Sequence, residues 1–574
     1  MKNTFAVVAA VVCLGNLSTI ATASRLIDNG AATISSTNPE GNLFRATQTV
    51  PGGIGHQLII PYYSVQAGNA TLINLINTDT VNAKAVKVRF RGASNADSVL
   101  DFQVFLSPGD MWTANLSRGA DGRAVLTHND VSCTIPQTIS GTSFSTSRVN
   151  PRLSDDALMA ETREGYVEII NMADIPPLAI DVNGGPIGPG TPPFGAALAT
   201  ANPLFTAVKH IKRVAPCYST STSAAALNLL QNDPTTLGAA YALGLRAPST
   251  GLTANWTLIN VPQSGAAAGE ALAIEVRNPY NGEPAHGAIV FFPQNNAPAA
   301  TPDLFTADPT FRTSNAGPTG VQDGKGGPFV GLPLPMAVAR NADLPDLSTL
   351  YVIGSPGNNP VYPLYQAEVL SKRLATLNVM NEFITDPSVN AQTDWVLSMP
   401  TRRYSVGLDY RTVAPGAFGV GYSRFVGRDY FSANVINSPN GQNICTSFSY
   451  FYLDREEVLP LESNFIPSPP RRPSLQCGAV SVMAFNPAGV SALGGVVSRV
   501  DMLTFSGVRD GWARIAMSGL FTGQGNFPAE FGALNPPGGN GLPVVGRAFT
   551  RVGKGGVSAN FGASWEHRYV RPVP

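Results

Sequence analysis

The residue types that most often do chemistry are thinly spread through this chain. Its five histidines, His56, His128, His210, His286 and His567, lie far apart, and no HExxH or HxH spacing brings two of them to one metal. Each reads as a loop histidine or a satisfied histidine at the surface. No Gly-x-Ser-x-Gly stretch occurs, which argues against the common seat of a hydrolase serine. Gly324-Lys325-Gly326 and Gly553-Lys554-Gly555 lack both the earlier glycine and the following Ser/Thr of a phosphate loop, and read as turns. The densest acidic cluster, Asp454-Arg455-Glu456-Glu457, follows an aromatic run from Phe448 to Tyr452. Glycosidase carboxylates face each other across a substrate, whereas adjacent positions point different ways. The cluster therefore reads as a solvated turn, with a divalent cation as the one cofactor it would take. Trp112, Trp256, Trp395, Trp512 and Trp565 are scattered over apolar runs, which favours core packing over a sugar-stacking platform. No catalytic, cofactor or metal residues are assigned. A hydrolase would need Ser, His and Asp brought together from distant positions.

The remaining chemistry is that of cysteine. Lys2, the ten-residue apolar run Phe5 to Leu14 and Ala21-Thr22-Ala23 before Ser24 read as a secretory signal over residues 1–23. Cys13 lies inside that run, after Val12 rather than a small residue, so it does not read as a lipoprotein site. Removal of the signal leaves Cys133, Cys217, Cys445 and Cys477. An even count in an exported chain points to two disulfides, for which four cysteines allow three connectivities. The sequential pairing, Cys133–Cys217 and Cys445–Cys477, places one in each half. A metal site would want a CxxC or a nearby histidine, and neither is present. The signal run is too short to span a bilayer, and no later apolar stretch reaches the required length, so no transmembrane helix is expected.

The elements that must hold these residues are short and regularly punctuated. From Gln57 to Leu116, runs rich in β-branched and aromatic residues alternate with turns such as Ala67-Gly68-Asn69 and Ser107-Pro108-Gly109. This predicts a mainly β fold of antiparallel, β-sandwich-like units with long loops and a small helical insertion. Lys87, Arg89 and Arg91 alternate with Val86, Val88 and Phe90, which predicts one face inward and one in water. The expected organisation is a polar leader over 24–55, a first β unit over 56–294 with a loop and helix insertion over 144–250, a Gly/Pro-rich linker over 295–349 and a second β unit over 350–574. Thr71-Leu72-Ile73-Asn74 followed by Val86-Lys87-Val88-Arg89 parallels Thr257-Leu258-Ile259-Asn260 followed by Ile274-Glu275-Val276-Arg277, as one hairpin used twice would.

Composition narrows the partners. Charged residues make up 13% of the chain, about half the usual share, and 38 basic residues balance 38 acidic ones. Nucleic-acid binding rests on phosphate neutralisation, so nucleic acid is not an expected partner. Near-zero net charge leaves little repulsion between copies. The stretches Ile60 to Gln66, Thr71 to Asp79 with Lys87 to Arg91, Ser107 to Trp112, Gly165 to Ala173, Thr393-Asp394-Trp395 with Pro400 to Arg403, and Glu566 to Tyr569 resemble a group of secreted proteobacterial cell-surface proteins. The resemblance implies location and carries no catalytic motif. Together these features predict an exported structural protein, at the cell surface or extracellular with the periplasm as the alternative, and a self-associating surface-coat, surface-layer-like or filament subunit. Its expected partners are copies of itself or other envelope components. The alternatives are a surface adhesin or glycan-binding module and, behind it, a secreted hydrolase.

Overall fold

The computed structural model describes residues 46–180, 200–219, 237–291, 370–402, 435–437, 444–456, 472–485, 491–495, 499–501, 509–517, 541–553 and 560–571, except for a few single positions, together with 25–27 and 347. The signal segment 1–23, nearly all of the 295–349 linker and Gly324-Lys325-Gly326 lie outside the described residues.

The fold is mainly β, as the alternation predicts. A six-stranded and a seven-stranded antiparallel sheet form the first pair of layers. The six-stranded sheet runs in the order Thr142–Ser143, Ala124–Thr127, Met111–Arg118, Asn69–Asn77, Leu252–Asn260, Gly265–Glu270. The seven-stranded sheet runs Ala46–Pro51, Leu272–Arg277, Gln57–Ser64, Glu164–Ile175, Ala83–Gly92, Ser98–Leu106, Cys133–Ile135. Their inner faces meet through buried aromatics, with Phe102 and Trp112 5.5 Å apart between ring centroids. A second pair of layers repeats the plan. Phe383 of one sheet stacks on Phe485 of the other at 5.2 Å, and Trp395 packs on Phe485 at 4.7 Å. Such aromatic pairs add roughly 0.5–1.5 kcal/mol each beyond the area they bury.

Four features depart from the alternation reading. The strand Ala83–Gly92 is buried on both faces, so Lys87, Arg89 and Arg91 do not meet water. Its neighbours supply the opposite charges. Arg89 stands in register between Glu168 and Asp101, Lys87 Nζ lies 2.8 Å from Asp101, and Arg91 Nε lies 3.0 Å from Glu168. A cation on one strand is not visibly paired until its sheet neighbours are known. Secondly, residues 144–250 are more than an insertion, because Glu164–Ile175 is a central strand paired to both Gln57–Ser64 and Ala83–Gly92. The same stretch also holds the short helices Asp155–Ala160, Pro203–Val208, Pro216–Ser219 and Leu237–Ala242. Pro203 does not interrupt a helix but starts one, behind an Asn202 cap that accepts from Leu204 N at 3.0 Å. Thirdly, Ala46–Pro51, within the expected leader, is an edge strand. Finally, the two similar segments are not a hairpin used twice. Leu72 pairs with Thr257 in the six-stranded sheet, whereas Val86 to Arg89 and Ile274 to Arg277 belong to the seven-stranded one.

The two β units share a joint. Phe549 of the second unit reaches Tyr62 at 6.2 Å and Trp256 at 5.7 Å, bridging both sheets of the first. Ala479 N donates to Ala93 O at 2.7 Å, Asn69 Nδ2 to Leu493 O at 2.7 Å, and the Ser398 hydroxyl to the Pro61 carbonyl. The strand Gly265–Glu270, almost all glycine and alanine, lies against Asn560–Glu566. Gly562 sits over the Ala266 carbonyl where a Cβ would clash.

Candidate functional site

An open cleft of about 500 Å³ lies at one end of the first unit. Its near wall is the turn Ser107-Pro108-Gly109-Asp110, which follows the strand Ser98–Leu106, and the loop Asn129-Asp130-Val131. Gly109, at φ 71°, makes the turn tight, and Ser107 N donates to Asp110 Oδ2 at 3.1 Å. Its far wall is Lys209, His210 and Arg213, carried just beyond the helix Pro203–Val208. His210 bridges the walls. Its Nδ1 is 3.0 Å from Ser107 Oγ and 3.4 Å from Asp110 Oδ2.

This brings a distant His210 to Ser107 and Asp110 of one turn, the residue types that a hydrolase would require. The geometry is not that of a serine relay. There the base uses one ring nitrogen for the nucleophile and the other for the carboxylate. Here Ser107 and Asp110 converge on the same nitrogen. Asp110 is further committed, with Oδ2 accepting from Ser132 Oγ at 3.2 Å and Oδ1 from Met111 N at 2.9 Å. The arrangement joins two loops by hydrogen bonds and leaves the cationic wall open.

The cysteines frame this region. Cys133 and Cys217 form a disulfide, Cα atoms 6.1 Å apart, between the edge strand Cys133–Ile135 and the helix Pro216–Ser219. It ties the segment carrying His210 to the sheet. Cys477 is also disulfide-bonded, and the antiparallel register sets it directly opposite Cys445.

The other sequence candidates scatter. His56 and His567 are buried rather than looped at the surface. His56 Nδ1 accepts from Val276 N at 3.2 Å. His567 lies between Asn381 Nδ2 at 3.0 Å and the Val396 carbonyl at 3.1 Å, and burial pushes its pKa down to about 3. Trp112, Trp256 and Trp395 are core residues, whereas Trp512 and Trp565 are partly exposed. Asp454, Arg455 and Glu456 form an exposed turn in which Glu456 N donates to Asp454 and Arg455 pairs with Glu456 at 2.5 Å; Glu457 lies outside the described residues. Among the described residues no group of three His, Cys, Asp or Glu could hold a metal ion, and no helix is long and apolar enough to cross a membrane.

A second feature has no single motif behind it. The outward face of the six-stranded sheet is almost uncharged. Ala268, Thr257, Leu72, Asn115 and Thr127 form one row across five strands, and Asn255, Asn74 and Thr113 form the next, ending in Glu270. Asn74 Nδ2 donates to Asn255 Oδ1 at 2.6 Å across the strands. At the strand ends Met111 and Val261 are 50% and 74% exposed. Outward positions of a half-solvated sheet usually carry Lys and Glu, which keep sheets apart.

The cleft was missed because Ser107, Asp110 and His210 are joined only by the fold. The run Lys209-His210-Ile211-Lys212-Arg213 was the available signal. No protein-family model, no curated protein and no solved structure matches the chain.

Proposed function

We propose that this chain is an exported structural subunit of the cell surface that packs against copies of itself through the outward face of its six-stranded sheet. The rows of that face, Thr, Asn, Ala and Leu with Glu270 as the charge at one end, carry the reading. A second sheet can lie about 10 Å above them without burying an unpaired charge. The zero net charge of the chain removes long-range repulsion between copies. The buried Cys133–Cys217 bond fits an oxidising compartment, and the signal-like segment 1–23 and the resemblance to secreted surface proteins support the same location.

A charge placed in the rows tests the contact. In sedimentation velocity over a range of concentrations, the unaltered chain is expected to form large species. The N255K/T257K variant, altered at an exposed and a half-exposed position, is expected to keep its folded stability and sediment as a monomer. Equal association of both proteins would remove this face from the account.

A further inference from the structure

A strained turn stands beside the cleft. Ile211 N donates to Val214 O at 2.9 Å and Val214 N to Ile211 O at 3.2 Å, closing a two-residue turn. The residues inside it, Lys212 and Arg213, have φ of 52° and 75°. Two successive positive φ values make a type I′ turn, which Asn and Gly normally fill. A side chain with a Cβ costs about 1–2 kcal/mol at such a position. The chain accepts that cost at two neighbouring positions and places a cation at each. Neither side chain contributes to the core: both are exposed, and neither enters an ion pair among the described residues.

Lys209 stands at the end of the helix before this turn, half-buried and likewise without an ion pair among the described residues. Lys209 and Arg213 line the cleft with His210. On the opposite wall Asp110 is taken up by hydrogen bonds from Ser107, Met111, Ser132 and its contact with His210, and Asp130 accepts from Ser132 N at 2.8 Å. The carboxylates are thus internally engaged, while among the described residues the cations enter no ion pair. Tyr218, 45% exposed, and Ile211, 58% exposed, add apolar surface on the same segment. The Cys133–Cys217 bond fixes that segment against the sheet.

We propose that this cleft binds an anionic glycan, with Lys209 and Arg213 in its wall, and Lys212 on the adjoining turn, meeting its carboxylate, phosphate or sulfate groups. Arginine offers a planar fork to an oxyanion and lysine a point charge. An open cleft with cations spread along one wall suits a polymer of repeated charges better than a single enclosed anion.

The test uses the full chain with labelled polygalacturonate, dextran sulfate, a phosphorylated dextran and neutral dextran at low and physiological salt, followed by fluorescence anisotropy. Binding of at least one anionic polymer and not of neutral dextran is expected, and which one binds identifies the oxyanion. The K209A/R213A variant should lose about tenfold or more in affinity, as removal of charge-assisted hydrogen bonds does. The R455Q/R568Q variant removes two exposed cations elsewhere and should keep its affinity. Arg213→Gly relieves the positive φ, so it should raise the melting temperature while weakening binding. Absence of binding to every anionic polymer, equal binding of neutral dextran, or equal losses in the two double variants would overturn the proposal.

Discussion

Glu161 keeps its proton far longer than an exposed glutamate. It is buried, its Oε1 accepts from Ser94 Oγ at 2.5 Å, and burial, with Asp97 and Glu164 nearby, raises its pKa from 4.5 to about 8. Between those two values the folded chain holds a proton that the unfolded chain has released. Stability from this group is therefore fully present below about pH 4.5 and is lost as pH rises to about 8. His567 acts in the opposite sense: its pKa is depressed by burial, so its contribution is present above 6.5 and is lost as pH falls toward 3. Urea denaturation of Glu161→Gln should show a gain of a few kcal/mol over the parent at pH 8, little gain at pH 4.5, and an unchanged decline on the acid side. Parallel pH profiles for the two proteins would show that Glu161 does not hold its proton in the folded state. None of this was legible in the sequence, because the burial of Glu161 depends on Ser94 and Asp97, which come from another turn of the chain.

At the scale of elements, the cysteines were the most legible feature. Their even number and their division between the two halves gave the sequential pairing, and the sheet register explains why it suits the fold. Directly opposed residues on antiparallel strands have Cα atoms about 4.5–5.5 Å apart, within disulfide range, and Cys445 and Cys477 are so placed. Non-reducing peptide mapping should recover Cys133 linked to Cys217 and Cys445 linked to Cys477; any crossed peptide would contradict the register. The strands were legible for a similar reason: period-two runs such as Leu100 to Leu106 carry their own signal. What the alternation could not report was the second neighbour. Lys87, Arg89 and Arg91 look like a wet face until Asp101 and Glu168 are set beside them. The cleft was hidden for the same reason, since Ser107 and His210 meet only when the helix Pro203–Val208 returns to the sheet.

On the scale of the molecule, two pairs of sheets are held by a joint with both apolar and polar contacts. Phe549 inserts beside Tyr62 and Trp256, and the glycine- and alanine-rich strand Gly265–Glu270 lets Asn560–Glu566 approach closely. That joint covers one edge of the six-stranded sheet, while its outward face is almost uncharged and, among the described residues, open. An edge in contact with a neighbouring unit and a face free of repelling charge direct association to the face. The most direct test is negative-stain microscopy of the purified chain from Ser24 onward, with and without divalent cations. The account predicts sheets, tubes or filaments that the N255K/T257K variant does not form. Monodisperse single particles of the unaltered chain under every condition would contradict it.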